Sequence, residues 1–93
     1  MVIGLLTVHL VIDGCDSLKD KRQVLKSLLA HLKREFNISV AEIGDHDLWR
    51  RSEVAAAIVS TDSKYADQVM AQVINHIESD LRVSLQGVHT EIL

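Results

Sequence analysis

The chain has 93 residues, a formal net charge of −3, 47% hydrophobic residues, one cysteine and no proline. That is the length of one domain with enough chain to close a single core without staples, and a lone cysteine rules out an internal disulfide framework. The apolar content argues against disorder. No run reaches the 18 or so apolar residues of a membrane span and the first residues lack a signal peptide's basic start, so a cytoplasmic protein without a membrane partner is expected.

Val2 to Ile12 reads as the first strand, with Leu6, Val8, Leu10 and Ile12 on one face and Ile3, Leu5, Thr7, His9 and Val11 on the other. Alternation, β-branched content and the Asp13-Gly14 turn signal favour strand over helix. Both faces are largely apolar, as in a central strand. Ser17 then opens a helix, with Asp20 three residues on in an approximate capping box. Val24, Leu25, Leu28, Leu29, Leu32 and Phe36 recur at helical spacing and fill one arc. Lys21 points nearer that arc, in the first turn, where its stem is expected to snorkel. Ile38 to Gly44 reads as a second strand, Asp45 to Arg51 as a polar loop, and Glu53 to Ser60 as a third strand antiparallel to the second. Thr61 or Asp62 caps a second helix striped by Ala66, Val69, Met70, Val73 and Ile77. Leu81 to Leu93 is the last strand, and its apolar phase flips at Gln86-Gly87, which predicts a bulge there.

The order βαββαβ predicts an α+β ferredoxin-like plait spanning residues 1–93: a four-stranded antiparallel sheet, strands one and three central, both helices on one face. The other face carries Ile3, Leu5 and Val11 with Ala55, Ala57 and Val59 or their even-numbered neighbours, too apolar for water, and predicts a homo-oligomer, most simply a dimer, formed through the open sheet.

Charge is segregated along the chain. Residues 17–36 hold Lys19, Lys21, Arg22, Lys26, Lys33 and Arg34 against Asp20 and Glu35, a net of +4, while residues 62–93 carry −3. A phosphate-bearing partner needs a local positive patch, not a basic protein overall. On the helix, Lys19, Arg22, Lys26 and Lys33 share a narrow arc. The loop Asp47-Leu48-Trp49-Arg50-Arg51 adds the only tryptophan and two adjacent guanidiniums, a stacking surface beside groups suited to bidentate phosphate contact. Its structural alternative has Trp49 packed over the end of the core and Arg51 paired with Asp47. The aromatics do not share a strand, which excludes the base-stacking sheet of an RRM.

Catalytic chemistry finds no assembled site. Cys15 precedes a helix but lies between Asp13 and Asp16, which disfavour a thiolate. The five histidines show no ligand spacing, and Asp45-His46-Asp47 alone is a poor metal site. Neither phosphate-loop motif occurs, nor a nucleophile elbow. No enzyme, cofactor or metal is expected.

The strings Ser17-Leu18-Lys19-Asp20-Lys21-Arg22, Phe36-Asn37, Ser39-Val40-Ala41-Glu42 and Asp47-Leu48-Trp49-Arg50-Arg51, with Val2-Ile3-Gly4 at the start and Glu91-Ile92-Leu93 at the end, closely resemble the YlxP-like family of small bacterial proteins. The resemblance covers the whole chain and implies a ferredoxin-like fold but no activity. The family's genes often lie among those for translation and ribosome maturation, which implies an RNA- or ribosome-associated role. The expected function is therefore a non-enzymatic binding protein acting near RNA or the ribosome, with Lys19, Lys21, Arg22, Lys26, Trp49, Arg50 and Arg51 at the contact. The alternative is a small-molecule-binding or regulatory domain with its ligand at an oligomer interface.

Overall fold

The computed structural model describes residues 1–93. Six elements follow in the order β1 (Val2–Ile12), α1 (Leu18–Glu35), β2 (Ser39–Gly44), β3 (Arg51–Ser60), α2 (Ser63–Glu78) and β4 (Val83–Ile92). The strands form one antiparallel sheet in the order β2-β3-β1-β4. This is the ferredoxin-like plait, with β1 and β3 at the centre as expected. Element ends move by one or two residues; β3 begins at Arg51, two residues early, because its pairing with β1 runs on to Val11.

Strand alternation builds the core. Leu6, Val8, Leu10 and Ile12 of β1 are sealed together with Val54, Ala56 and Ile58 of β3 and Val40 of β2. Leu25, Leu28 and Leu32 of α1 and Val69, Met70, Val73 and Ile77 of α2 close over them. Both helices are capped as the sequence predicts. Ser17 Oγ accepts from the Asp20 N–H at 3.1 Å, and Asp62 Oδ1 accepts from the Tyr65 N–H at 2.8 Å. The reciprocal arm of the first cap reaches past Ser17: the Asp16 N–H donates to Asp20 Oδ2 at 3.4 Å. The bulge falls at Gln86, where β4 slips by one residue between Gly87 opposite His9 and Leu85 opposite Leu10. Gly87 packs beside the His9 ring, and a Cβ there would sit 3.5 Å from it, an ordinary contact.

One group in this core is charged. Lys21 is 1% exposed. Its Nζ lies 3.0 Å from Glu42 Oε2 and donates to the backbone carbonyls of Asp45 and His46. Glu42 Oε2 also accepts from Ser52 Oγ at 2.7 Å. Glu42 stands opposite Val54 in the ladder and so shares the core-facing parity of Val40. The expected snorkelling of Lys21 toward solvent is therefore corrected: the stem runs inward and the ammonium is satisfied inside by a carboxylate and two carbonyls. Asp45 holds a left-handed backbone (φ 62°), a conformation that costs an L-residue energy unless its surroundings fix it. The Lys21 bond to its carbonyl helps to fix it. The other end of the same loop is held by Arg50, whose Nε donates to the Cys15 carbonyl at 3.0 Å and whose carbonyl accepts from the Ile12 N–H. The β2–β3 loop is thus pinned at both ends against the start of α1.

Two stability measurements check this packing. Gly4 lies under α2, where an added Cβ would meet Ala66 Cβ at 3.1 Å and Met70 Sδ at 3.4 Å. Gly4→Val should therefore cost about 1–3 kcal/mol in urea denaturation, since overpacking must push a helix off the sheet. Lys21→Met should cost about 2–4 kcal/mol, because it strands Glu42 and two carbonyls. The Lys21→Met/Glu42→Leu double variant should lose clearly less than the two single losses summed; strict additivity would show that the pair is not coupled.

Candidate nucleic-acid interface

The candidate surface starts from the direction of α1. Its first turn is tied by Lys21 to the far end of β2, and its last turn leads through Asn37 and Ile38 into the first residue of β2. The helix therefore runs antiparallel along β2, which is an edge strand. One side of α1 faces α2. There the His31 and His76 rings sit 4.5 Å apart, and Arg82 reaches Ser27 Oγ at 3.3 Å. At 100° per residue, Lys19, Arg22, Lys26 and Lys33 fall within about 60° of one another, and their mean direction lies about 110° from Ser27 and about 150° from His31. They lie on the flank turned away from α2, along the open edge of the sheet. All four are exposed, and none has a carboxylate within 4.0 Å. The row rises about 21 Å along the helix axis.

The structure separates the seven residues expected from the sequence. Lys19, Arg22 and Lys26 stand together in this row, joined by Lys33, which shares their arc but is not among the seven expected contacts. Lys21 is taken out of it, because its ammonium is buried on Glu42 and unavailable to a partner. Trp49 is 52% exposed in the clamped loop beside the α1 N-terminus. It does not belong to the core cluster, so the alternative of a tryptophan packed over the core is not what the chain adopts. Arg50 is bonded to the Cys15 carbonyl and lies 3.8 Å from Asp16. That ion pair is solvent-exposed on both sides, so it is weak and exchangeable. Arg51 departs from the group. It opens β3 opposite Val11, on the parity of Glu53 and Ala55, and so faces the open side of the sheet. It makes no ion pair with Asp47.

Other chemistry-bearing residues are occupied. The Cys15 thiol is buried and donates to the Ser17 carbonyl at 3.1 Å. No three His, Cys, Asp or Glu side chains converge as metal ligands. A recess of about 480 Å³ between the helices is lined by Ser27, His31, His76, Ser79, Asp80 and Arg82 among others. Its one guanidinium is already matched. Arg82 donates to both oxygens of Asp80, at 2.7 and 3.0 Å, and that hydrogen bonding holds the Asp80 carboxyl below its ordinary 3.8 in spite of partial burial. No helix is long and apolar enough to cross a membrane.

Comparison with known proteins follows the same outline. The fold matches a de novo designed protein with a ferredoxin fold at a TM-score of 0.63 and 14% identity, over 99% of this chain and 85% of that one. It also matches SnoaB, a cofactor-independent oxygenase from Streptomyces nogalater, at a TM-score of 0.52 and 14% identity, over 99% and 90%. At such identities the likeness is one of fold alone. In sequence, the chain is 35% identical over 90 residues to the uncharacterized protein YlxP of Bacillus subtilis (strain 168), covering 97% of this chain and 98% of that protein. The model of the family described as a protein of unknown function, DUF503, matches residues 3–90. The chain therefore belongs to this family, the YlxP-like proteins.

Proposed function

We propose that the protein binds RNA, in the setting of translation or ribosome maturation, through the outer flank of α1 and the adjoining Trp49 loop. The observation that carries this reading is the row of four exposed, unpaired cations along one helix flank in an otherwise acidic chain. Surface cations in a folded protein usually find carboxylates nearby, and this chain has 13 of them. Keeping four apart in one line creates a stripe of positive potential that a neutralised surface would lack. Polyanion binding supplies the gain, because each phosphate neutralised releases condensed counterions. Trp49 and Arg50 add a stacking face and a fork for phosphate at the end of the stripe.

Charge reversal is the test. Lys26→Glu/Lys33→Glu should weaken binding to a fluorescein-labelled structured RNA by tenfold or more in anisotropy titrations, since two favourable contacts become repulsive. Both sites are exposed, so the melting temperature should hardly move. Wild-type binding should fall steeply between 50 and 200 mM salt. Binding that is flat with salt, or unchanged in the double variant, refutes the reading.

A second surface supports a second proposal, self-association through the open sheet. Val59 is 67% exposed on that face, beside partly exposed Ile3, Leu5, Val11, Ala55 and Ala57. The helices cover only the opposite face, so this apolar patch meets water in a lone chain. Light scattering at micromolar concentration should give twice the 10.4 kDa chain mass, and Leu5→Glu/Val59→Arg should return it to one chain. A wild-type mass of one chain at every concentration rejects the dimer.

A further inference from the structure

We infer that the RNA taken by this surface is a single strand, laid along the β2 edge with its phosphates on the α1 row and one base on Trp49. The inference rests on the RNA reading and narrows it to a substrate class.

Three features of the edge point the same way. The first is the number of cation rows. Lys19, Arg22, Lys26 and Lys33 form one line, and β2 adds no second row: its exposed side chains, Ser39, Ala41 and Ile43, are uncharged. One row can follow one backbone. A duplex brings two, and its protein readers reach across successive grooves with contacts on both strands. The second feature is the edge itself. β2 pairs with β3 on one side only, so alternate N–H and C=O groups of residues 39–42 point outward without strand partners, up to the register shift between Glu42 and Gly44. No proline blocks them, and the one charged side chain of the strand, Glu42, is turned inward to Lys21. These groups lie beside the cation row and offer donors and acceptors to ribose 2′-hydroxyls and exposed base edges, which are the groups by which single-stranded RNA is read. The third feature is the platform. Trp49 stands half-exposed at the end of the row, in a loop fixed by Lys21 at Asp45 and His46 and by Arg50 at Cys15. A base must be unstacked from its neighbours to lie on an indole face, and single strands meet that condition at low cost. The lengths are comparable as well: Ser39 to Gly44 spans about 17 Å and the cation row about 21 Å.

Trp49 is the only tryptophan of the chain, so its emission reports on the platform without a label. The full chain is titrated with a uridine octamer, with an RNA duplex of the same total charge, and with oligoglutamate. The octamer should quench Trp49 and bind at least fivefold more tightly than the duplex. Its log K should fall with log salt at a slope of about −3, the value for four neutralised phosphates on a single strand. With labelled octamer, Trp49→Ala should weaken binding fivefold or more and Trp49→Phe should retain most of it, because any aromatic face accepts a base. Trp49→Ala should weaken duplex binding much less than octamer binding. Tight RNA binding with unchanged Trp49 emission, or equal affinity for the duplex, overturns the single-strand inference and leaves the RNA reading standing. Failure of both RNAs to bind overturns both, and oligoglutamate binding as tightly as the octamer identifies the edge as a site for acidic peptides instead.

Discussion

The arrangement of the candidate surface depends on one buried ion pair. Lys21 leaves α1 in its first turn, crosses to the core-facing side of β2 and meets Glu42 at 3.0 Å. A buried charge pair is seldom a net source of stability, because removing two ions from water costs about what their attraction returns. What it does provide is geometric. Lys21 has three donors, and Glu42, Asp45 and His46 occupy them. The helix start, the end of β2 and the entry of the β2–β3 loop are joined at one nitrogen. A leucine at this position would fill similar space and hold none of the carbonyls. The angle of α1 to the sheet edge and the seat of the Trp49 loop beside it both follow from that junction.

The same pair shows where the sequence was legible and where it was not. Element order, helix caps, the central place of β1 and the bulge at Gln86 are all local, each written within a few residues as a period, a capping oxygen or a phase flip. Lys21 and Glu42 are 21 positions apart, and no local rule links them. Each did carry a warning taken alone. Lys21 sits within the apolar arc of α1, and Glu42 has the strand parity of Val40, which is buried. Two charges of opposite sign, each on the wrong side of its own element, are the trace of a buried pair once the topology sets α1 beside β2. Arg51 failed for a related reason. It neighbours Arg50 in sequence, but a strand sends adjacent residues to opposite faces, so it becomes a sheet-face residue once β3 begins there.

The charge segregation acquires a direction in three dimensions. The α1 row lies on the flank away from α2. On α2, His76 marks the side toward α1 through its contact with His31, and Asp67 and Glu78 lie nearly half a turn around from it. The positive stripe and these exposed acids thus occupy opposite sides of the helical layer. A net charge of −3 spread evenly would repel a polyanion from every approach. Separated in this way, it would repel a polyanion from the α2 side and attract it at the β2 edge.

The plait also keeps the two proposed surfaces from competing. Partners of the α1 row approach in the helical layer, while a second copy would cover the opposite face of the sheet, and the sheet lies between them. Only Arg51 and the end of β2 near it border both. A face-to-face dimer would leave each α1 row pointing outward at its own β2 edge, so two copies would present two such rows on one particle. Linked sites raise the apparent affinity for any RNA long enough to reach both, because the second contact forms at the high effective concentration set by the first. A short single strand occupies one row and gains nothing from dimerisation. Under the two proposals, a dependence of affinity on RNA length would connect self-association to binding.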